Sequence, residues 1–293
     1  MLPNFLIVGA PKAGTTSLYY YLSEHPEVFM PAQKELNFFS REEIEAQGLY
    51  YKDFKVKTLK EYEAIFEKGK GKKAIGEASV SYLFYPKTPF KIKELIPHVK
   101  IIILLRDPVE RAFSHYLMDY RLGLVNLEFD EIIFKKTHHK RLDLYYQQYI
   151  ELGFYYKQVK RYLDVFGFDQ VRIYFNEDLK NNIKKVILDL YDFLGIDKSY
   201  FPNIQKRYNV FSMPRNSFIG YLYSVPELRK ILGVFLPDSF KKVIFNVFFE
   251  KNKKPQMRED IKRYLRNLYK PDIQKLEKLI NKCLSHWYSG EDC

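Results

Sequence analysis

The sequence is poor in cysteine and lacks a long uninterrupted apolar run, and each shortage argues against a class of protein. Its two cysteines, Cys283 and Cys293, are too few for a disulfide framework, which favours a reducing compartment or a fold without crosslinks. The longest apolar neighbourhood, residues 231–249, is interrupted by Pro237, Asp238 and two lysines, so it does not predict a membrane-spanning helix. The opening residues do not have the order of a signal peptide. These features together predict a cytoplasmic protein.

The sequence does contain enough apolar residues for a large core, together with an excess of basic charge. A chain of 293 residues that is 46% hydrophobic is expected to fold as one globular domain over residues 1–293. Lys and Arg number 48 against 36 acidic residues, a formal net charge of +12. Such an excess is typical of a lysine-rich solvated surface, and also of proteins that bind nucleotides, sulfated sugars, nucleic acid or anionic lipid.

Short apolar runs alternate with helical patterns along most of the chain. Strands are predicted at residues 5–9, 74–77, 99–105 and 171–175, and helices near 17–22, 108–120, 153–165, 183–194 and 257–287. This alternation predicts an α/β fold of three layers, with a central parallel sheet flanked by helices and ligands bound beyond the carboxyl ends of the strands. Residues 201–255 are instead aromatic, lysine-rich and punctuated by proline, which predicts a lid or an acceptor-side insertion.

The first predicted strand leads through the turn Gly9-Ala10-Pro11-Lys12-Ala13-Gly14-Thr15-Thr16-Ser17 into a helix. Unpaired N–H groups at the start of a helix, the helix dipole and the charge of Lys12 all attract phosphate-like anions. The turn is not a Walker A loop, because its lysine precedes the second glycine. A magnesium-dependent nucleoside kinase or NTPase is therefore the weaker enzymatic alternative. A basic module for nucleic acid or anionic membrane, with residues 231–249 at the interface, is the non-enzymatic one.

This turn and five later motifs resemble the sulfotransferase family that uses 3′-phosphoadenosine 5′-phosphosulfate (PAPS), in particular the heparan sulfate N- and O-sulfotransferases and their bacterial homologues. The later motifs are Lys34-Glu35-Leu36-Asn37-Phe38-Phe39, residues 101–116, Gly153-Phe154-Tyr155, Glu177-Asp178-Leu179 and Leu284-Ser285-His286-Trp287. The likeness covers nearly the whole chain except about residues 201–252. It implies the P-loop-like sulfotransferase fold and sulfuryl transfer from PAPS to a hydroxyl or amine, with adenosine 3′,5′-bisphosphate (PAP) as product. The implied acceptor is a carbohydrate or glycolipid.

The resemblance also implies which residues bind the donor. It assigns the 5′-phosphosulfate to the turn, and the 3′-phosphate to Arg106 and Ser114. An arginine at a strand end offers forked donors that suit a phosphate, although a salt bridge with Asp107 or Glu110 is the alternative for this side chain. The turn residues implied in donor binding are Lys12, Ala13, Gly14, Thr15, Thr16 and Ser17, and a basic loop with Lys253 and Lys254 is implied to close over the nucleotide.

For catalysis, the resemblance implies that Glu35 is the general base and that Lys12 stabilises charge on the leaving group. The residues expected on the acceptor side are Lys34, Ser81, Tyr82 and Arg215. His25, which precedes a proline, is expected to be structural. The six histidines and two cysteines lack metal-ligand spacing, so no metal is expected. No nucleic-acid partner is expected either, and a peripheral membrane contact is expected if the acceptor is a lipid.

Overall fold

The computed structural model describes residues 1–51, 54–204 and 255–290, together with the backbone of 212–214 and 249–251. Among these residues, five strands form one parallel sheet in the order β2-β3-β1-β4-β5. The strands are β1 (Phe5–Gly9), β2 (Val28–Phe29), β3 (Ala74–Ala78), β4 (Lys100–Leu105) and β5 (Val171–Phe175). The two-residue edge strand β2 was not predicted from the sequence.

The register places β1 in the middle of the sheet. Phe5 pairs with Gly76 of β3 on one side and with Lys100 of β4 on the other, and Ile101 pairs with Val171 of β5. All five residues of β1 and all but the first of β4 are buried. Strands with apolar side chains on both faces are typical of a parallel sheet covered by helices on both sides. The predicted α/β fold is confirmed.

Helices follow the strands, and local signals in the sequence explain several of their ends. Pro108 occupies the first turn of one helix, and the Asp107 side chain caps it by accepting from the Val109 N–H group. Gly195, in a left-handed conformation, ends another at the residue predicted to stop it. The helices are α1 (Thr15–Ser23), α2 (Arg41–Gln47), α3 (Leu59–Phe66), α4 (Thr88–Leu95), α5 (Pro108–Arg121), α6 (Phe129–Ile133), α7 (Leu142–Tyr149), α8 (Tyr155–Gln170), α9 (Asn176–Asn181), α10 (Ile183–Leu194) and α11 (Glu259–Ile280).

The described apolar residues form one large core and a small satellite cluster. The large core contains the sheet and the helix faces that pack on it, and α11 joins it through Tyr269, whose hydroxyl donates to the Ile150 carbonyl at 2.8 Å. The satellite cluster consists of Ile44, Leu49 and Tyr85, with Phe54 and Phe84 among the side chains packed against it. The satellite cluster borders a cavity at the carboxyl edge of the sheet.

Only part of the predicted insertion at 201–255 falls within the described residues. Ser212–Pro214 (β6) and Phe249–Lys251 (β7) form an antiparallel pair. Arg215, Lys253, Lys254 and nearly all of the apolar stretch 231–249 lie outside the described residues. In the described part of the chain, no helix combines the length and apolar character needed to cross a bilayer.

One expectation from the cysteines is wrong. Cys283, just beyond α11, is disulfide-bonded, whereas the low cysteine count suggested a chain without crosslinks. The sequence contains one other cysteine, Cys293, which lies outside the described residues. A count of two excludes a framework of several bridges, but it does not exclude a single crosslink near the end of the chain.

Candidate active site

The candidate site lies at the carboxyl edge of the sheet, next to its central strand. From β1 the chain forms β2 and β3 on one side, and then crosses to form β4 and β5 on the other. Such a change of direction leaves a crevice outside the strand ends, where open α/β sheets bind ligands. The segments that follow β1, β3, β4 and β5 all contribute to one cavity of about 830 Å³.

The first side of the cavity is the turn between β1 and α1. Gly14 has a φ angle of 105°, a left-handed conformation that a side chain would strain. No side chain caps α1. Since the first N–H groups of a helix have no partner within it, this end presents donors suited to an anion. The residues of this turn that border the cavity include Lys12, Gly14, Thr15, Thr16 and Ser17.

Two neighbouring strands brace this turn through residues that follow their carboxyl ends. After β4, Arg106 donates from Nη1 to the Lys12 carbonyl at 3.2 Å. After β5, Asn176 donates from Nδ2 to the Ala13 carbonyl at 2.9 Å. Asn176 was not predicted as a site residue, although its position directly after a predicted strand was a usable signal. The conformation of the turn therefore depends on three strand ends at once.

Lys12 is a partly buried cation that borders the cavity. Its Nζ atom lies 3.4 Å from the Met118 sulfur. Burial, followed by the nearby charge of Arg121, lowers its pKa to about 8, and Asp119 opposes this shift. A buried cation that is held near other cations favours a bound anion, which would replace the solvation that Lys12 has lost.

Arg106 and Ser114 form a second polar region of the same cavity. Both border it, and the Arg106 side chain is 16% exposed. Arg106 Nη2 lies 3.2 Å from Glu110 Oε2, so the salt bridge weighed as an alternative is present. Glu110 and the Lys12 carbonyl together take one N–H group from each terminal nitrogen, and three of the five N–H groups of the guanidinium remain for further contacts. Asp107 is occupied as the cap of α5, and burial raises its pKa to about 6.

Lys34 and Glu35 lie between this polar region and the rest of the cavity. Lys34 Nζ is 3.3 Å from Thr15 Oγ1 and 3.1 Å from Glu35 Oε1, so it connects the turn to the carboxylate. The other carboxylate oxygen, Oε2, accepts from the Val80 N–H group at 2.9 Å. The Glu35 side chain remains 36% exposed. A carboxylate is therefore held at a fixed place beside the anion-binding turn while it stays open to the cavity.

A buried hydrogen-bond network holds the backbone two residues after Glu35. The Asn37 N–H group donates to Ser79 Oγ at 3.0 Å, and Ser79 donates to Glu77 Oε2 at 2.8 Å. Tyr62 and Tyr82 donate to Glu77 Oε1 at 2.6 and 2.8 Å. Burial raises the pKa of Glu77 to about 7. Glu77 was not predicted as a site residue, since a single acidic residue in a predicted strand gives no signal of this role.

The structure places two of the predicted contact residues outside the cavity lining. Tyr82, expected to touch the acceptor, is fully buried, bonds to Glu77 and does not border the cavity. Ala13, expected in donor binding, has a buried side chain, and its N–H group donates to the Ala10 carbonyl at 3.3 Å. Of the remaining predicted acceptor-side residues, Lys34 and Ser81 border the cavity. Arg215, Lys253 and Lys254 lie outside the described residues.

His25 lies where a structural residue is expected. It is buried, and its Nε2 lies 2.8 Å from the Asp197 carbonyl oxygen. Its Nδ1 accepts from the Glu27 N–H group at 3.1 Å. In the described part of the chain, no three His, Cys, Asp or Glu side chains come together as metal ligands.

A cluster of tyrosines that was not predicted from the sequence lies beside the cavity, near Lys12. The buried Asp119 carboxylate accepts hydrogen bonds from the hydroxyls of Tyr50, Tyr51 and Tyr149. Tyr51, which borders the cavity, also lies 2.9 Å from His115 Nε2. Burial raises the pKa of Asp119 to about 6 and lowers that of His115 well below its usual value. The i,i+4 spacing of His115 and Asp119 on α5 was a signal, but their tyrosine partners are distant in sequence.

An α/β sheet with a turn suited to an anion at its switch point, and a fixed carboxylate beside that turn, fits an enzyme that transfers a group from an anionic donor. The chain belongs to the sulfotransferase family, because the family described as "Sulfotransferase domain" matches residues 2–279. The resemblance drawn from the sequence is confirmed.

The relatives cover the chain to different extents. A sulfotransferase structure from Alicyclobacillus acidocaldarius is 32% identical, with a TM-score of 0.70, and the match covers 98% of this chain and 99% of that one. The membrane-associated sulfotransferase kil1 of Dictyostelium discoideum is 37% identical over 39% of this chain and 22% of its own length. The mouse bifunctional heparan sulfate N-deacetylase/N-sulfotransferase 4 is 28% identical over 68% of this chain and 23% of its own. This chain thus spans less than a quarter of the length of these two curated relatives.

Proposed function

We propose that this sulfotransferase moves a sulfuryl group from PAPS to a hydroxyl or amine of a carbohydrate or glycolipid. The family uses PAPS, and one relative is described as a heparan sulfate N-deacetylase/N-sulfotransferase. The observation that carries the proposal is the position of Lys34 Nζ, within 3.4 Å of the hydroxyls of Thr15 and Thr16 and of the Glu35 carboxylate. This contact brings a candidate base to the edge of the turn proposed to hold the donor.

The described residues fit a donor that carries anionic groups at two places. The uncapped start of α1 and Lys12 form one anion-binding position, and Arg106 with Ser114 forms another in the same cavity. PAPS carries a phosphosulfate on one side of its nucleoside and a phosphate on the other. We therefore assign the phosphosulfate to the turn and the 3′-phosphate to the arginine and serine.

The proposed chemistry divides between residues that hold charge and one that moves a proton. PAPS, when bound, supplies a sulfuryl group attached to a phosphate oxygen. Glu35 accepts the proton that the acceptor hydroxyl or amine loses. Lys12 places positive charge where negative charge develops on the leaving side, in a buried setting where that charge is poorly screened. Lys34 holds Glu35 against the turn, and so fixes the distance between base and donor.

Calorimetric titration with PAP, followed by an assay for PAP release from PAPS in the presence of acceptors, tests the proposal. Glu35→Gln should reduce turnover by about 10²–10⁴-fold with little change in PAP affinity, because it removes only the proton acceptor. Lys12→Ala should weaken PAP binding and also slow turnover. Exposed residues provide the matched controls Glu94→Gln and Lys60→Ala, which should behave as wild type.

Two outcomes would contradict the proposal. Absence of PAP binding by the wild-type protein would remove the donor site. Activity that EDTA abolishes would instead favour the magnesium-dependent kinase or NTPase. A sulfotransferase of the proposed kind should keep its activity in EDTA.

A further inference from the structure

Beyond Glu35 the cavity changes character, from a polar donor end to an apolar wall. Both ends of the cavity include residues from the segment after β3. In this segment the Val80 N–H group donates to Glu35, and a few residues later Phe84 and Tyr85 border the cavity. Residues of α2 and of the segment after it face the same space. We define the apolar wall as Ile44, Leu49, Phe54, Phe84 and Tyr85, all of which border the cavity.

The apolar wall is packed in advance of any ligand. Ile44, Leu49 and Tyr85 are 3%, 5% and 6% exposed and form the satellite cluster, against which Phe54 and Phe84 pack. Side chains held in this way lose little conformational freedom when a ligand contacts them, so apolar surface that the ligand buries contributes directly to affinity. A preformed apolar surface next to a few fixed polar groups is typical of a small-molecule site.

The polar groups along this wall are already hydrogen-bonded within the protein. Ser81 Oγ donates to Asn37 Oδ1 at 2.6 Å and lies 2.7 Å from Ser40 Oγ. The Tyr85 hydroxyl donates to Gln47 Oε1 at 2.8 Å. A sugar chain in this region would lose water from its hydroxyls and gain few replacement bonds from these residues, which is unfavourable.

The distribution of charge also argues against a polyanionic acceptor. Among the described residues that border the cavity, the cations Lys12, Lys34 and Arg106 belong to the proposed donor end, where the anionic donor would occupy them. Lys180 also borders the cavity and lies on α9, the helix that begins at Asn176 of the same end. Lys55 is the described cation that flanks the apolar wall. A sulfated polysaccharide carries a charge on most of its units, and matching these charges takes several cations along the binding surface.

We propose that the acceptor is an uncharged amphiphile whose reacting hydroxyl is attached to an alkyl or aromatic group that packs on the apolar wall. This inference rests on the proposed sulfuryl transfer. The acceptor oxygen loses its proton to Glu35 and forms a bond to sulfur, while the bond between sulfur and the donor's phosphate oxygen breaks and its electron pair leaves with PAP. Within the proposed acceptors, the apolar wall favours a glycolipid-like molecule over an anionic polysaccharide.

Three glucosides that differ only in the group on the anomeric oxygen test this inference. Binding of methyl, phenyl and octyl β-D-glucopyranoside is measured by calorimetry with PAP present, below the concentration at which octyl glucoside forms micelles. Each buried methylene favours binding by about fourfold, so burying two or three of them should make octyl glucoside bind at least about tenfold more tightly than methyl glucoside. If phenyl glucoside and not octyl glucoside binds more tightly than methyl glucoside, the group that packs on the apolar wall is aromatic and not alkyl. Equal affinity for all three compounds would overturn the inference.

Single substitutions test whether the apolar wall causes the difference in affinity between the glucosides. Phe84→Ala should reduce the preference for the favoured glucoside several-fold and leave PAP affinity unchanged, and Phe54→Ala serves if the first variant does not fold. Phe90→Ala is the matched control, because Phe90 is 58% exposed on α4 and does not border the cavity. An undiminished preference in the folded variants would overturn the assignment to this wall.

Turnover with PAPS separates failure of the inference from failure of the proposed function. If the protein binds PAP and sulfates heparan sulfate faster than octyl or phenyl glucoside, the proposed amphiphilic acceptor is wrong. The proposed sulfuryl transfer would still stand. Loss of PAP binding in the wild-type protein would overturn both.

Discussion

Replacing Glu77 by glutamine should stabilise the folded protein at alkaline pH and remove a defined part of its pH dependence. The carboxyl group is fully buried in β3, and burial raises its pKa from 4.5 to about 7. Glutamine keeps an oxygen that accepts from Tyr62 and Tyr82, and its amide can donate to the Ser79 oxygen. The substitution therefore removes the charge while it preserves size and most hydrogen bonds.

The size of the effect follows from the two pKa values. Between pH 4.5 and about 7 the folded protein retains a proton at Glu77 that the unfolded chain has lost. The free energy of unfolding therefore falls as the pH rises through this window, and a change in pKa from 4.5 to about 7 corresponds to about 3 kcal/mol. Relative to wild type, the stability of Glu77→Gln should rise by about 2–3 kcal/mol between pH 5 and pH 8. The altered contact with Ser79 should lower the free energy of unfolding of Glu77→Gln by about 1 kcal/mol at every pH.

Urea unfolding of both proteins at pH 5, 6, 7 and 8 measures this difference. Asp107 and Asp119, whose pKa values burial raises to about 6, titrate in the same range but do so in both proteins and cancel. Glu94→Gln, at an exposed position on α4, is the matched control and should give a pH-independent difference. A pH-independent difference for Glu77→Gln as well would refute the assignment of this titration to Glu77.

Three further predictions concern the sheet and the donor site. Gly76→Ala should lower the free energy of unfolding by about 1–3 kcal/mol in thermal or urea melts, because a Cβ there would lie 2.4 Å from the buried Phe5 ring; an unchanged midpoint would contradict this packing. Arg106→Lys should raise the dissociation constant for PAP by about tenfold in calorimetry, since lysine lacks the forked donors; wild-type affinity would argue against a phosphate contact. PAP affinity should fall above about pH 8 as Lys12 loses its proton, and this break should be absent in Lys12→Met.

The sequence predicted the elements whose signals are local. The strand at 171–175 and the helix at 183–194 have the predicted bounds, because an apolar run defines the first and Gly195 stops the second. The convergence of residues at strand ends was also predictable, since parallel strands present their carboxyl ends on one edge. Arg106 borders the cavity for this reason. Asn176 occupies the equivalent place after the next strand and was accessible to the same argument.

Features that depend on contacts between distant segments were not predictable. The partners of Asp119 include Tyr50 and Tyr51, which come from a segment before β3. The apolar wall likewise combines residues from both sides of β3, and no periodic pattern links them. Tyr82 was expected on the acceptor side from the family resemblance, whereas the segment after β3 directs its ring into the core. Direction of a side chain within an irregular segment is set by tertiary packing, which a residue's place in the sequence does not encode.

The backbone conformation of the site gives an independent reason to connect these residues with function. Five described non-glycine residues have positive φ angles, and three of them lie in or next to the site: Lys12, Glu35 and Asn37, at 66°, 60° and 53°. The other two are Lys135 and Asn281. A left-handed conformation costs a residue with a side chain about 1 kcal/mol or more, and glycine would avoid this cost. Hydrogen bonds to the Lys12 carbonyl and from the Asn37 N–H group hold two of these positions in place. Stability alone would favour glycine at such positions, and Lys12 and Glu35 also border the cavity, whereas Lys135 and Asn281 do not. The strained backbone at these two cavity positions agrees with the roles proposed for their side chains.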